Sequence, residues 1–110
     1  MTVNRYQREA LRTLNEGLTP FERLQEGLMG LCGESGECMD MLKKYMFQGH
    51  SLICEKLVYE LGDVAWYLAI SAAALGYDLE TIMQMNLDKL KIRYPEKFEA
   101  KLSVERKDDM

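Results

Sequence analysis

Two long helical segments joined by a short turn at positions 48–51 constrain the fold of this chain most strongly. The stretch TPFE at positions 19–22 has an N-cap residue, a proline at the first helical position and a glutamate that can complete a capping box, so it predicts a helix start. That helix should continue to about Phe47 and end in the turn QGHS at positions 48–51. The next helix should then run to about Leu75. So short a connection favours an antiparallel hairpin of the two helices.

Two further helices complete an all-α prediction. Apolar residues recur at helical spacing before Gly17 and again between Asp78 and Pro95, and a glycine or a proline ends each run. The alternation of apolar and polar residues that predicts strands is absent from the sequence. We therefore predict one all-α domain of four main helices over positions 1–95. A charged and loosely ordered C-terminal tail should follow at positions 96–110.

Composition excludes several classes of protein. The net charge of −4 across 110 residues argues against a nucleic-acid-binding surface. No uninterrupted apolar run approaches 18 residues and the N-terminus lacks an apolar signal core, so we expect neither a membrane span nor secretion. Three cysteines without CxxC spacing indicate small buried side chains in a reducing cytoplasm. A single histidine, His50, offers little for a zinc site or for the Glu-x-x-His pairs of a di-iron bundle.

Two pairs of carboxylates stand on the predicted hairpin. Glu34 and Glu37 are three residues apart on one helix, and Glu60 and Asp63 are three apart on the next, so each pair shares a helix face. The turn at 48–51 begins eleven residues after Glu37 and ends nine before Glu60, which places both pairs at similar heights. Four carboxylates meeting in a dry groove would repel one another unless a hard cation lay among them, and oxygen ligands suit Mg²⁺ or Mn²⁺.

Two alternatives stay open for these features. Acidic pairs on helices are commonly solvated, although Glu60 and Asp63 lie inside an otherwise apolar segment, VYELGDVAWYLAISAAAL. Glycines recur at positions 27, 30, 33 and 36 of the preceding helix, each at a cost of roughly 0.5–1 kcal/mol relative to alanine. They either clear room for a metal and a bulky anion beside the acids or allow close packing of two helices.

Basic and aromatic residues fall on matching helix faces. Lys44 lies two turns beyond Glu37, and Tyr67 shares a face with the acids of its own helix. On the fourth helix a polar stripe is formed by Asn86, Lys89 and Arg93. Such cations would suit a polyphosphate held with a metal, although lysines and arginines on a terminal helix are mostly solvated. No glycine-rich phosphate loop of the GxxxxGK[ST] or GxGxxG type occurs.

The acidic residues form the pattern ExxE, then 22 residues, then ExxD. This pattern resembles that of the MazG-type nucleoside triphosphate pyrophosphohydrolases, an all-α superfamily. The segments GLCGESGECMDMLKKYMFQGH, EKLVYELGDVAWYLA and NLDKLKIRYPEKF resemble family segments in the same order. YQREALRT near the N-terminus is similar to the small single-domain members of bacteria and phages. The resemblance covers about residues 6–98.

The resemblance implies cleavage of a nucleoside triphosphate between the α- and β-phosphates, with Mg²⁺ (or Mn²⁺) as cofactor. The implied metal ligands are Glu34, Glu37, Glu60 and Asp63, and Glu37 is our candidate general base. The implied phosphate, sugar or base contacts are Lys44, Asn86, Lys89, Arg93, Tyr94 and Tyr67. The family also implies a homodimer or a dimer of dimers. A nucleotide-binding sensor without catalysis and a purely structural helical protein stay open as alternatives.

Overall fold

The computed structural model describes residues 1–106, which form five α-helices and no strand. The helices are α1 (Val3–Leu11), α2 (Pro20–Phe47), α3 (Cys54–Ala74), α4 (Leu79–Arg93) and α5 (Ala100–Val104). The predicted all-α fold with four main helices is confirmed. Two long helices, α2 and α3, are joined by the predicted short connection and pack against each other, and α3 also packs against α1.

The start of α2 is fixed by the capping box that the sequence predicts. The Thr19 hydroxyl accepts a hydrogen bond from the Glu22 backbone N–H, and the Thr19 backbone N–H donates to the Glu22 carboxylate, with Pro20 in the first turn. At the other end, Gly49 adopts a φ of +73° in the connection to α3, a conformation that favours glycine. Local sequence therefore fixes both ends of the longest helix.

The glycine row of α2 divides into two parts. A Cβ atom on Gly27 would lie 2.2 Å from the Ser71 hydroxyl oxygen, and one on Gly30 would lie 2.1 Å from the Tyr67 ring. At Gly33 and Gly36 an added Cβ would meet no atom of the described residues within 4 Å. Close helix packing therefore accounts for the first two glycines, whereas the last two lie in open space beside the acidic residues.

A buried glutamine joins α1 to α3 and to the connection that leads into α4. The Gln7 side-chain amide donates to the carbonyl oxygens of Ala69 and Tyr77, and its oxygen accepts from the Leu79 backbone N–H at 2.9 Å. Nearby, Ala10 packs with Ala69, Ala72 and Leu79 in the buried core. Because Gln7 satisfies three backbone groups, it holds Leu79, the first residue of α4, to α1.

The buried face of α3 differs from the face that carries its leucines. Leu61, Leu68 and Leu75 recur at helical spacing, but all three are exposed in this chain. The buried residues of α3 are Ile70 and its small neighbours Ala69, Ser71 and Ala72. Their short side chains let α1 and α2 pack closely against α3. The expectation of buried cysteines is also wrong for Cys32 and Cys54, which are exposed free thiols.

By length and composition alone, α3 is apolar enough to cross a membrane. Only 22% of its apolar window is buried, and its mean hydropathy of 1.2 is modest. The same test is passed by core helices of soluble proteins, so it leaves the expected absence of a membrane span as a prediction.

The chain divides into two compact units, residues 1–79 and the residues from Glu80 onward. The first unit contains α1 to α3, and the second contains most of α4 and all of α5. In the second unit the Tyr94 ring lies 5.3 Å from that of Phe98. Part of the tail that was expected to be loosely ordered forms α5, and positions 107–110 of that tail lie outside the described residues. The predicted domain division at position 95 stays a prediction.

Candidate metal centre

Three of the four predicted carboxylates converge between α2 and α3. One oxygen from each of Glu34, Glu37 and Glu60 lies within 4.8 Å of the other two. The two pairs can meet because α2 and α3 pack side by side, as the sequence indicates. Three carboxylate oxygens at this separation are the donors that a hard divalent cation takes.

Two of these carboxylates each have an oxygen that is buried without a partner. The Oε2 atoms of Glu34 and Glu60 are inaccessible to water and have no hydrogen-bond donor among residues 1–106. A buried acceptor left unpaired costs about 1–3 kcal/mol, and more for a charged group. The donor set therefore fits a cation, which would satisfy these oxygens.

Mutual repulsion is visible in the electrostatics of Glu60. Its pKa is raised above the ordinary glutamate value, first because a side-chain hydrogen bond with the Glu34 carboxyl favours the protonated form and second because burial disfavours the charge. A hydrogen bond with Glu37 acts in the opposite direction, and the charges of Glu34 and Asp63 add to the rise. The neighbouring acids and burial therefore make the charged form of Glu60 less favourable than that of an isolated glutamate, and a bound cation would act in the opposite direction.

Asp63, the fourth predicted ligand, is not among the three close oxygens. Its side chain is exposed on α3, one turn beyond Glu60. Its charge still reaches the cluster, because it raises the pKa of Glu60 and, after burial, that of Tyr6. Tyr6 of α1 is thus a neighbour of the site, and no spacing pattern predicts this contact. The role of Asp63 as a ligand stays a prediction.

Tyr67 lies directly beside the acids. Its ring covers Gly30, and burial together with the charges of Glu34, Glu26 and Asp63 raises the pKa of its hydroxyl. An open groove of about 580 Å³ adjoins the ring and is also lined by Glu26 and Met29. Tyr67 therefore links this groove to the acidic cluster, because the charge of Glu34 acts on its hydroxyl.

Two other aromatic residues of the hairpin, Trp66 and Phe47, have different environments. The Trp66 indole N–H donates to the Thr13 hydroxyl at 2.9 Å, and its ring packs against the buried core and edge-on to Tyr67. Trp66 is therefore a core residue. Phe47 is 75% exposed at the end of α2.

Lys44 is held at the turn end of the hairpin. Its ammonium group lies 3.0 Å from the Asp40 carboxylate, which Lys43 also contacts at 3.1 Å. These hydrogen bonds lower the pKa of Asp40. Lys44 also lines a cavity of about 280 Å³ between the end of α2 and the start of α3.

The remaining predicted contacts lie on α4 and just after it, in the second unit. Asn86 is exposed, whereas Lys89, Arg93 and Tyr94 are half-buried. The Arg93 guanidinium lies 6.0 Å from the centre of the Tyr94 ring. Their contact with a substrate stays a prediction.

Comparison with known proteins gives one family and one phage relative. The family model of the MazG nucleotide pyrophosphohydrolase domain matches residues 23–98. The chain is also similar to the "Gene 37 protein" of Mycobacterium phage L5, with 41% identity over 77 residues, which are 66% of this chain and 68% of the phage protein. No solved structure matches the chain significantly. The matched range contains all four acids and every predicted substrate contact.

Proposed function

Because the chain belongs to the MazG nucleotide pyrophosphohydrolase family, we propose that it hydrolyses nucleoside triphosphates, with ribose or deoxyribose, to the monophosphate and pyrophosphate in a Mg²⁺-dependent reaction. The observation that carries this proposal is the meeting of Glu34, Glu37 and Glu60 within 4.8 Å. Two of their oxygens are buried and unpaired, as a cation site requires. Mg²⁺ is the proposed cofactor, and Mn²⁺ is an alternative with the same preference for oxygen.

The four acids would act as metal ligands, and one of them would also act as the general base. Glu34, Glu37 and Glu60 would hold the cation, with Asp63 as the fourth proposed ligand after a change of side-chain rotamer. A bound cation would neutralise phosphate oxygens and make water more acidic. Glu37, which is exposed and so open to solvent, is the proposed general base.

In the proposed reaction a water oxygen bonds to the α-phosphorus while the bond from that phosphorus to the bridging oxygen breaks. Glu37 accepts the proton of the water, and pyrophosphate leaves with the bridging oxygen. The nucleoside would lie in the groove beside Tyr67, where the ring can contact the base or sugar. Lys44, Asn86, Lys89, Arg93 and Tyr94 are the proposed contacts to phosphate or sugar.

A panel of NTPs and dNTPs tests this function. Purified protein with Mg²⁺ should release pyrophosphate and the monophosphate in equal amounts, and EDTA should stop the reaction. Glu37→Gln keeps the size of the side chain while removing its charge and its basicity. We expect this variant to lose at least 100-fold in rate, within the range for a general base.

The products also separate the alternatives. Release of inorganic phosphate and a diphosphate would contradict the proposed bond cleavage. Saturable nucleotide binding without any turnover would favour a sensor, and neither binding nor turnover would favour a structural protein.

A homodimer or dimer of dimers is the proposed assembly. Met29, Phe47 and Tyr59 are 70–75% exposed on the α2–α3 hairpin, and exposed apolar side chains of this number mark protein interfaces. We propose a cytoplasmic enzyme that binds neither membranes nor nucleic acid. The supporting observations are the charge of −4 and the acids within its most apolar helix.

A further inference from the structure

A cavity whose lining includes both cationic and apolar residues lies at the turn of the hairpin, apart from the acidic cluster. Its volume is about 280 Å³, and its lining residues are Met41, Lys44, His50, Ser51, Ile53 and Lys56. We call it the turn pocket. Two lysines, a histidine and a serine are among the lining residues, and the donors that these side chains carry suit an anion with several oxygens.

The backbone at the turn pocket adds donors. Ile53 is the N-cap of α3, its backbone is extended, and within residues 1–106 no side chain caps this helix start. The first N–H groups of α3, a helix of 21 residues, therefore lie at the end of the helix that borders the cavity. The helix dipole favours negative charge at this end. The cationic lining and the uncapped helix start act in the same direction.

The turn pocket lies in line with the acids. Lys44 is seven residues after Glu37, about 10 Å along the axis of α2, and Lys56 is four residues before Glu60, about 6 Å along α3. Both spacings keep the lysine on the same helix face as the acid. The groove beside Tyr67 is on the other side of the acids along α2. The hairpin thus has an aromatic groove, a carboxylate cluster and a cationic pocket in this order.

We propose that the turn pocket binds the two terminal phosphates of the substrate, and then the pyrophosphate product, through Lys56 and His50 as well as Lys44. This inference rests on the proposed function and fixes the direction of the substrate. The nucleoside lies toward Gly30 and Tyr67, and the β- and γ-phosphates lie toward the turn. Asp40 partly neutralises Lys44 at 3.0 Å, so Lys56 and His50 supply the charge and donors that Lys44 alone does not.

Binding of inorganic pyrophosphate tests the turn pocket directly. Calorimetry with Mg²⁺ and pyrophosphate should show at least about tenfold weaker binding for Lys56→Gln and a smaller loss for His50→Gln, the scale of one charge-assisted hydrogen bond. Lys43→Gln is the matched control. It removes the same charge from the same end of the hairpin, on α2 instead of α3, but Lys43 does not line the cavity, so the affinity of this variant for pyrophosphate should stay within about twofold.

Kinetics on the preferred triphosphate give the second measurement. Lys56→Gln should lower kcat/KM by about tenfold, whereas the affinity for the nucleoside monophosphate product, which lacks the terminal phosphates, should not change. Equal losses in the Lys56 and Lys43 variants that vanish together at high salt would mean long-range attraction only and would overturn the inference. So would wild-type protein that does not bind pyrophosphate, or a monophosphate affinity that falls in parallel.

The two proposals fail separately. If wild-type protein turns over triphosphates and the Lys56 and Lys43 variants behave alike, the pyrophosphohydrolase function stands and the turn pocket is wrong. If no triphosphate is hydrolysed but pyrophosphate binding falls selectively in the Lys56 variant, the pocket stands as a pyrophosphate site and the proposed function fails.

Discussion

Two glycines one turn apart on α2 should respond in opposite ways to the same substitution. Gly30→Ala introduces a Cβ that would lie 2.1–2.4 Å from three atoms of the Tyr67 ring, well inside van der Waals contact. Gly33→Ala introduces the same Cβ where no described atom lies within 4 Å. The two changes share their chemistry and their helix, so only the neighbouring ring distinguishes them.

The magnitudes follow from two terms. In the interior of a helix, Gly→Ala stabilises by about 0.8–1 kcal/mol, and Gly33→Ala should show this gain alone. For Gly30→Ala the ring must move by more than 1 Å, and overpacking of this kind costs about 1–3 kcal/mol. The two variants should therefore differ by about 1–3 kcal/mol in the free energy of unfolding, with Gly30→Ala the less stable.

Urea unfolding in EDTA at one fixed protein concentration measures this difference, because subunit association makes stability depend on concentration. Tyr67→Ala supplies the internal check. In that background the ring is gone, so Gly30→Ala should become as favourable as Gly33→Ala. The reasoning is refuted if the two glycine variants are equally stable in wild-type background, or if removing the ring leaves their difference intact.

The remaining predictions concern the charged residues. Asp63→Ala should lower Mg²⁺-dependent turnover at least 100-fold while the metal-free protein unfolds at an equal or higher temperature; activity within a few-fold of wild type would exclude Asp63 as a ligand. Because the pKa of Glu60 is raised in the folded state, metal-free protein binds an extra proton there and should lose stability as the pH rises from the ordinary glutamate range through that raised pKa. Glu60→Gln should remove this slope in thermal melts against pH, and an unchanged slope would contradict the assigned cause. Arg93→Ala should lower kcat/KM for a triphosphate by a factor that corresponds to about 1.5–3 kcal/mol of lost transition-state stabilisation. Lys91→Ala, on the other side of α4, should change kcat/KM little, and equal effects of the two substitutions would mean that α4 only attracts the substrate.

Local signals in the sequence account for most of the helix boundaries. The capping box at Thr19 and Glu22 and the glycine at position 49 are decided by residues within one turn, so the sequence alone predicts where α2 begins and ends. The convergence of Glu34, Glu37 and Glu60 was also predictable, because two acidic pairs lie at similar distances from a short turn.

Features that depend on distant residues were not predictable. The role of Gln7 requires three backbone groups that lie 62 to 72 residues further along the chain, and no spacing pattern encodes such contacts. Periodicity marks an apolar stripe on α3 that includes Leu61 and Leu68, but it does not say whether this chain or another covers them, and both side chains are exposed in this chain. The difference in available space at Gly30 and Gly33 likewise depends on the position of the Tyr67 ring, which only the tertiary structure determines.

One register of the hairpin connects the glycines, the acids and the turn pocket. Gly30 faces Tyr67, Glu37 meets Glu60, and the turn pocket brings together residues from the last turns of α2 and the first turn of α3. In each of the first two pairs the position numbers add to 97, as one antiparallel register requires. Because the glycine contact brings the helices close two turns before the acids meet, the same approach holds the carboxylates together against their own repulsion. A side chain at position 30 would therefore act on the metal centre as well as on the Tyr67 ring. The glycine that is costly for helix formation is retained where the separation of the two helices is set.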